Sequence, residues 1–176
     1  MSNKLPSREQ AIKFLEDNHC PAKVKTHCKS VSKLAVETAK KIQKKGFEVD
    51  VDLVEIGALL HDIGRSRTHS VNHVVAGAEI AKASGLPESV IGIIKRHVGG
   101  GITQTEARKL GWPKDNYMPG TIEEKIVSYA DKLVDISKQV PIEDTINKLQ
   151  EKNLVASAER VRKIHDEISN LTGEKQ

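Results

Sequence analysis

Between residues 53 and 79 the sequence reads LVEIGALLHDIGRSRTHSVNHVVAGAE, an apolar stretch that ends in His61-Asp62 and continues into Gly64, Arg65, His69 and His73. Neighbours on a helix point about 100° apart, so a tandem imidazole and carboxylate can serve one site only at a helix end, or where the carboxylate bridges two metals. Gly64 suits a helix that ends there. An isolated carboxylate delivered to a protein interior costs several kcal/mol, so Asp62 calls for a compensating cation, and a metal is the economical one. A second His-Asp pair, His165-Asp166, provides a contrast. It sits in RVRKIHDEISNL, where Val161, Ile164, Ile168 and Leu171 trace one helical stripe between charges, and it reads as a solvated helix face. His61-Asp62 differs in its company: His27 upstream, His73 and His97 downstream, and Asp131 within IVSYADKLVDI.

The elements that must position these residues are helical. Ser7 with Gln10 forms a capping box for a short first helix ending near Asn18 to Pro21, with Ile12 and Leu15 inward. The spacing of Val31, Leu34, Ala35, Thr38 and Ile42 predicts a helix over about 22–45, with His27 one turn before that stripe and facing the core. Gly46 closes it, and Asp50 or Asp52 caps the next helix, which is apolar nearly all round and therefore central. A helix from about His73 to Gly85 follows, then one opened by Pro87 in which Val90, Ile91, Ile94 and His97 share a stripe. Residues 98–120 break the pattern except for a short helix over Thr103 to Leu110. This segment reads as a wall or lid with Trp112, Lys114 and Tyr117 as substrate contacts, and its triple glycine as a weak candidate phosphate cradle. Thr121 and Glu124 cap a helix expected to run through Ser137, with Asp131 beside its apolar stripe. Two amphipathic helices fill residues 141–172 as an extension that offers packing or oligomer surface, and the final LTGEKQ should fray.

Composition agrees with one all-α domain. The chain has 176 residues, 38% of them hydrophobic and only 3% aromatic, so the core must be aliphatic, which favours packed helices over a β-sandwich. Cys20 and Cys28 are too few for a disulfide framework or a CxxC zinc site. No apolar run of about 18 residues occurs and MSNKLPSREQ lacks a signal-peptide core, so a cytoplasmic protein with no membrane partner is expected. The net charge of +4 is uneven: residues 1–45 hold 11 Lys or Arg against 4 Asp or Glu, or +7, leaving −3 for the rest. Such a basic face can attract phosphorylated or nucleic-acid partners, although no aromatic residues interleave with the lysines to stack on bases.

The order His, His-Asp, His, His, Asp, carried by THCKSVSKLA, GALLHDIGR, NHVVAGAEIA, IIKRHVGGG and EKIVSYADKLVD, resembles the HD-domain superfamily of metal-dependent phosphohydrolases. The resemblance covers about residues 10–140 and implies an orthogonal all-helical bundle. It implies His27, His61, Asp62 and Asp131 as ligands of one divalent metal, and His73 and His97 as the extra histidines of a binuclear subgroup in which Asp62 bridges. Val98 stands where families with a double histidine carry a second one, which leaves one ion or two open. The mixed nitrogen and oxygen set suits Mn, Fe, Co, Ni or Zn. A metal lowers the pKa of coordinated water and neutralises phosphoryl charge, which suits hydrolysis of a phosphomonoester or phosphodiester. Arg65 would grip substrate phosphate, and His69 would contact it or act as general acid. The helical order also resembles hydrolases of dinucleoside polyphosphates, with cyclic phosphates and nucleoside monophosphates open too. Other classes are a metal-stabilised RNA- or protein-binding module, a di-iron oxygenase, and association as a homodimer.

Overall fold

Local signals start most of the helices. In the computed structural model, which describes residues 4–174, the Ser7 hydroxyl accepts from the Gln10 amide and the Gln10 side chain accepts from the Ser7 amide, starting α1 (Arg8–Asp17). Asp50 caps α3 (Val51–Leu60) by accepting from the Leu53 amide at 2.9 Å. Thr103 and Glu106 form the capping box of α6 (Gln104–Lys109), and Thr121 and Glu124 that of α7 (Ile122–Lys132). The 23-residue α2 (Ala22–Lys44), with α4 (His73–Ala83) and α5 (Glu88–Arg96), completes the part that carries the histidines. The described residues are all-α apart from one hairpin of two-residue strands and an isolated bridge between Ile102 and Tyr117. Among them, no helix is long and apolar enough to cross a membrane.

Helix α3 is the hub. Val54, Ala58, Leu59 and Leu60 are fully buried, and the helix packs on α1, α2, α5 and α7. It divides an aliphatic core on the α2 and α7 side from a second one formed with α1, α4 and α5. Where the chain turns from α3 into α4, a 3-10 turn over Ile63–Ser66 lies flat against α4.

The structure changes some of these expectations and sharpens others. The helix predicted through Ser137 stops at Lys132, because Thr145 from α8 (Ile142–Glu151) takes the Lys132 carbonyl at 2.7 Å. The chain then makes a hairpin, β1 (Val134–Asp135) against β2 (Lys138–Gln139), with Ile136 at a φ of 57°. Of packing or oligomer surface, the C-terminal helices show packing: Ile142 and Ile146 of α8, and Val161, Ile164 and Ile168 of α9 (Val155–Thr172), share one core with Val31, Ala58 and Ile126. Of the segment expected to fray, Leu171 and Thr172 are helical and Glu174 pairs with Lys41 at 2.5 Å, while residues 175–176 lie outside the described residues. Finally, the triple glycine is a docking point for α9. Gly99, Gly100 and Gly101 all have positive φ, Ser157 donates to the Gly99 carbonyl at 2.7 Å, and a Cβ on Gly100 would come within 2.9 Å of the Arg160 backbone.

Gly64 permits the closest approach in the fold. A Cβ there would lie 1.9 Å from the His73 carbonyl oxygen and 2.6 Å from the Gly77 amide nitrogen, both backbone atoms that cannot rotate away. Gly64→Ala is expected to cost about 2 kcal/mol, read as a fall of about 4–8 °C in the thermal midpoint. Gly46→Ala, at a φ of 93° but with open space around it, should cost only its backbone strain, about 1 kcal/mol.

Candidate metal centre

Three histidines at helix ends share one local device. His61 follows α3, His73 opens α4 and His97 follows α5, and each ring presents Nδ1 to the carbonyl three residues earlier: Ala58 at 2.7 Å, Ser70 at 2.8 Å and Ile94 at 2.9 Å. A carbonyl only accepts, so each Nδ1 carries the proton and each neutral ring keeps its lone pair on Nε2. Those Nε2 atoms converge. His73 and His97 Nε2 lie 3.2 Å apart, and both face Asp62 Oδ1, at 3.1 and 3.5 Å. His61 Nε2 lies 3.4 Å from Asp131 Oδ1 and 3.8 Å from Asp62 Oδ2. His27, reaching in from α2, places Nε2 2.9 Å from Asp131 Oδ1.

The atoms brought together are therefore almost all acceptors. His61 Nε2 and Asp62 Oδ1 are buried without a hydrogen-bond partner, a condition that costs about 1–3 kcal/mol for each group. A cation resolves this. The ligand atoms fall into two sets, His27, His61 and Asp131, and His61, Asp62 and His97, with the atoms in each set within 4.8 Å of one another. One imidazole lone pair holds one ion, so His61 can serve only one set at a time.

The outer oxygens of both carboxylates meet fixed cations. Arg65 Nε donates to Asp62 Oδ2 at 2.8 Å, and its Nη1 to the His69 carbonyl at 3.1 Å. Lys132 Nζ donates to Asp131 Oδ2 and, at 3.3 Å, to the His97 carbonyl, which Ser128 also holds at 2.9 Å. Burial alone would raise both carboxyl pKa values. His61 with His73 and His97 holds Asp62 well below the usual range, and Lys132 with His27 and His61 does so for Asp131. Burial pushes His97 down to about 4. Burial also acts to lower His61, but the Asp62 carboxylate, Cys28 and Asp131 outweigh it, and its pKa stands well above the ordinary value. In the metal-free protein a proton on His61 answers part of the demand for positive charge.

The cluster opens onto a cavity of about 580 Å³ lined by Arg65, His69, His73, His97 and Asp131. Exposed His69 stands on its wall. Lys114 does not reach it. It lines a separate cavity of about 200 Å³ with Gln104, Arg108 and Trp112, on the other side of α6, whose Glu106 and Lys109 face the site. Trp112 and Tyr117 are likewise turned to structure. Their rings pack 4.9 Å apart, the Trp112 indole donates to Asn72 at 2.8 Å, and the Tyr117 hydroxyl donates to the Pro113 carbonyl at 3.0 Å. Sequence reasoning missed Lys132, although it adjoins Asp131, and missed the wall built by Thr145, Leu149, Leu154 and Ser157 from the C-terminal helices. His165 stays apart, its Nδ1 3.2 Å from the Tyr129 hydroxyl.

A protein of uncharacterised function from Methanocaldococcus jannaschii is 47% identical over 165 residues, covering 93% of this chain and 97% of its own length. A tRNA (cytidine(56)-2'-O)-methyltransferase from Picrophilus torridus is 39% identical over 169 residues, and the chain, matched over 96% of its length, spans only 48% of that enzyme. The solved HD domain of the L. monocytogenes phosphodiesterase PgpH, in complex with cyclic-di-AMP, shares the fold with a TM-score of 0.57 at 20% identity, covering 93% of this chain and 95% of that one. The model of the HD domain family matches residues 24–134, which hold all six clustered side chains, and the chain belongs to that family.

Proposed function

We propose that the chain is a metal-dependent phosphohydrolase that cleaves a phosphomonoester or phosphodiester bond of a small, nucleotide-like substrate. The observation that carries this reading is the convergence of lone pairs from His61, His73 and His97 on Asp62 and Asp131, at the base of a cavity that also presents Arg65 and Lys132. His27, His61 and Asp131 would hold one divalent ion, and His73 and His97 a second, with Asp62 shared between them. Mn, Fe, Co, Ni or Zn would suit these donors. When bound, the metal supplies an activated water and neutralises phosphoryl charge.

The chain's own residues do the rest. Arg65 spends two donors on Asp62 and the His69 carbonyl, which holds its guanidinium still and leaves the remaining donors for phosphoryl oxygens. Lys132 stands beside the other carboxylate as a second fixed cation. His69, exposed at the cavity wall, is placed to hand a proton to a leaving oxygen.

A second reading, an RNA-binding module, rests on two observations. Helix α2 and Lys45 carry Lys23, Lys25, Lys29, Lys33, Lys40, Lys41, Lys44 and Lys45 against Glu37 alone, and Lys29, Lys33, Lys40 and Lys44 are exposed on one face, turned away from His27. The half-length match to a tRNA methyltransferase adds to it.

His61→Ala and Asp62→Ala are expected to abolish bound divalent metal, measured by plasma mass spectrometry on protein purified without chelator or nickel resin, while Asp166→Ala leaves it unchanged. Metal must also displace the proton on His61, whose pKa is raised, so apparent affinity should climb with pH up to that pKa. Calorimetry in buffers of different ionisation enthalpy should find protons released as metal binds. Screened with Mn, Co, Ni, Fe or Zn against dinucleoside polyphosphates, cyclic nucleotides and nucleoside monophosphates, the loaded protein should turn over at least one class. Turnover surviving complete metal removal would refute the phosphohydrolase, and salt-dependent tRNA binding without any turnover would favour the second reading.

A further inference from the structure

The wall of the cavity above the cluster is at odds with a site that grips phosphate alone. Beside the charged side chains it presents Val98, Ile102, Leu110, Leu149 and Leu154. Two of these are among the large apolar residues the fold leaves exposed, Leu110 at 42% and Leu154 at 48%. A leucine left in water at the rim of a site gains its burial energy only when something covers it, and burying one is worth about 1.5–3 kcal/mol. Leu149 and Leu154 come from α8 and the start of α9, beyond the matched family segment that ends at residue 134. The tie between these helices and the reacting end is direct, since Thr145 holds the Lys132 carbonyl and Ser157 the Gly99 carbonyl.

We infer that this aliphatic wall is a nucleobase subsite, and that α8 and α9 select the substrate's organic half while Arg65 and Lys132 hold its phosphate; this rests on the phosphohydrolase reading for the second half only. Three features favour a flat heterocycle over an alkyl chain. A volume of about 580 Å³ lies within the range of about 300–1,000 Å³ for small-molecule sites and accommodates a nucleotide. The hydroxyl oxygens of Thr145 and Ser157, whose protons go to backbone carbonyls, and the Glu106 carboxylate interrupt the aliphatic surface as acceptors, giving the N–H edge of a base partners that an alkyl chain cannot use. Glu106 is itself fixed by Arg160 through two contacts of 3.0 Å and by the Thr103 amide at 2.7 Å, so it is a rigid acceptor.

The test separates base from phosphate. Any of the four ribonucleosides, which carry no phosphate, should shift the methyl resonances of Leu149 and Leu154 in the chelated, metal-free protein, while ribose 5-phosphate should not. The double variant L110S/L154S changes two exposed side chains, so it keeps the fold and the metal content. In it the preference of the metal-loaded protein for a nucleoside monophosphate over ribose 5-phosphate, as kcat/KM, should fall by at least about tenfold, the scale of a lost apolar contact. Nucleosides that leave the methyls unmoved would overturn the subsite. So would an alkyl phosphate that moves them and is the preferred substrate. Nucleoside shifts without hydrolysis of these monoesters, of cyclic nucleotides or of dinucleoside polyphosphates would keep the subsite and dismiss the phosphohydrolase.

Discussion

Three imidazole protons on the wrong side of their rings organise this protein. By giving Nδ1–H to the carbonyl three residues back, His61, His73 and His97 fix both ring orientation and tautomer without help from any other side chain. The consequence is a buried crowd of lone pairs and carboxylate oxygens that repel one another unless positive charge joins them, in part as a proton on His61 or in full as a metal cation. The fold tolerates that crowd because it spreads it over separate elements: two helix C-termini, one helix N-terminus, and side chains from α2 and α7. Hydrophobic packing, not mutual attraction, holds the ligands together. Gly64 and the fully buried Leu59, Leu60 and Ile63 set the approach of α3 to α4, and so the distance from Asp62 to His73.

What could be read from the sequence was what depends on near neighbours. The capping boxes at Ser7, Thr103 and Thr121 and the apolar α3 are local facts, and they placed the helices to within a few residues. His61-Asp62 stands out because a tandem pair can serve one site at a helix end, or where its carboxylate bridges two metals, and it has histidines and an aspartate for company. His165-Asp166, in the middle of a helix, has no such geometry. The order of His27, His73, His97 and Asp131 then resembled a known family, and the structure brings those side chains to the same pair.

What could not be read depends on which way an element is turned or on what folds back over it. Nothing local in QTEARK shows which side of α6 faces the site, so Lys114, a few residues on, was read as a substrate contact although it lies behind that helix. The end of α7 is set by Thr145, thirteen residues later in the chain, and apolar periodicity alone carried the helix past it. The same return of the chain puts Leu149 and Leu154 on the cavity wall. Amphipathic spacing identified those helices correctly, but it is silent on whether an apolar residue meets core, partner or ligand.

The charge arrangement argues for phosphate more strongly than the ligand set does. Asp62 and Asp131 bring two negative charges, and Arg65 and Lys132, each bound to the outer oxygen of one of them, bring two positive ones. With the histidines neutral, as metal ligation requires, these four side chains sum to zero before any ion is counted. A purely structural metal would need no such cations, which weaken its binding by repulsion. With them, one divalent ion leaves the site at +2, and a second leaves it at +4, a surplus that can be neutralised only by an anion entering from the cavity. Under the proposed phosphohydrolase reading, Lys132 and Arg65 would lower the affinity for metal and raise that for a dianion, an exchange that suits a centre acting on phosphate.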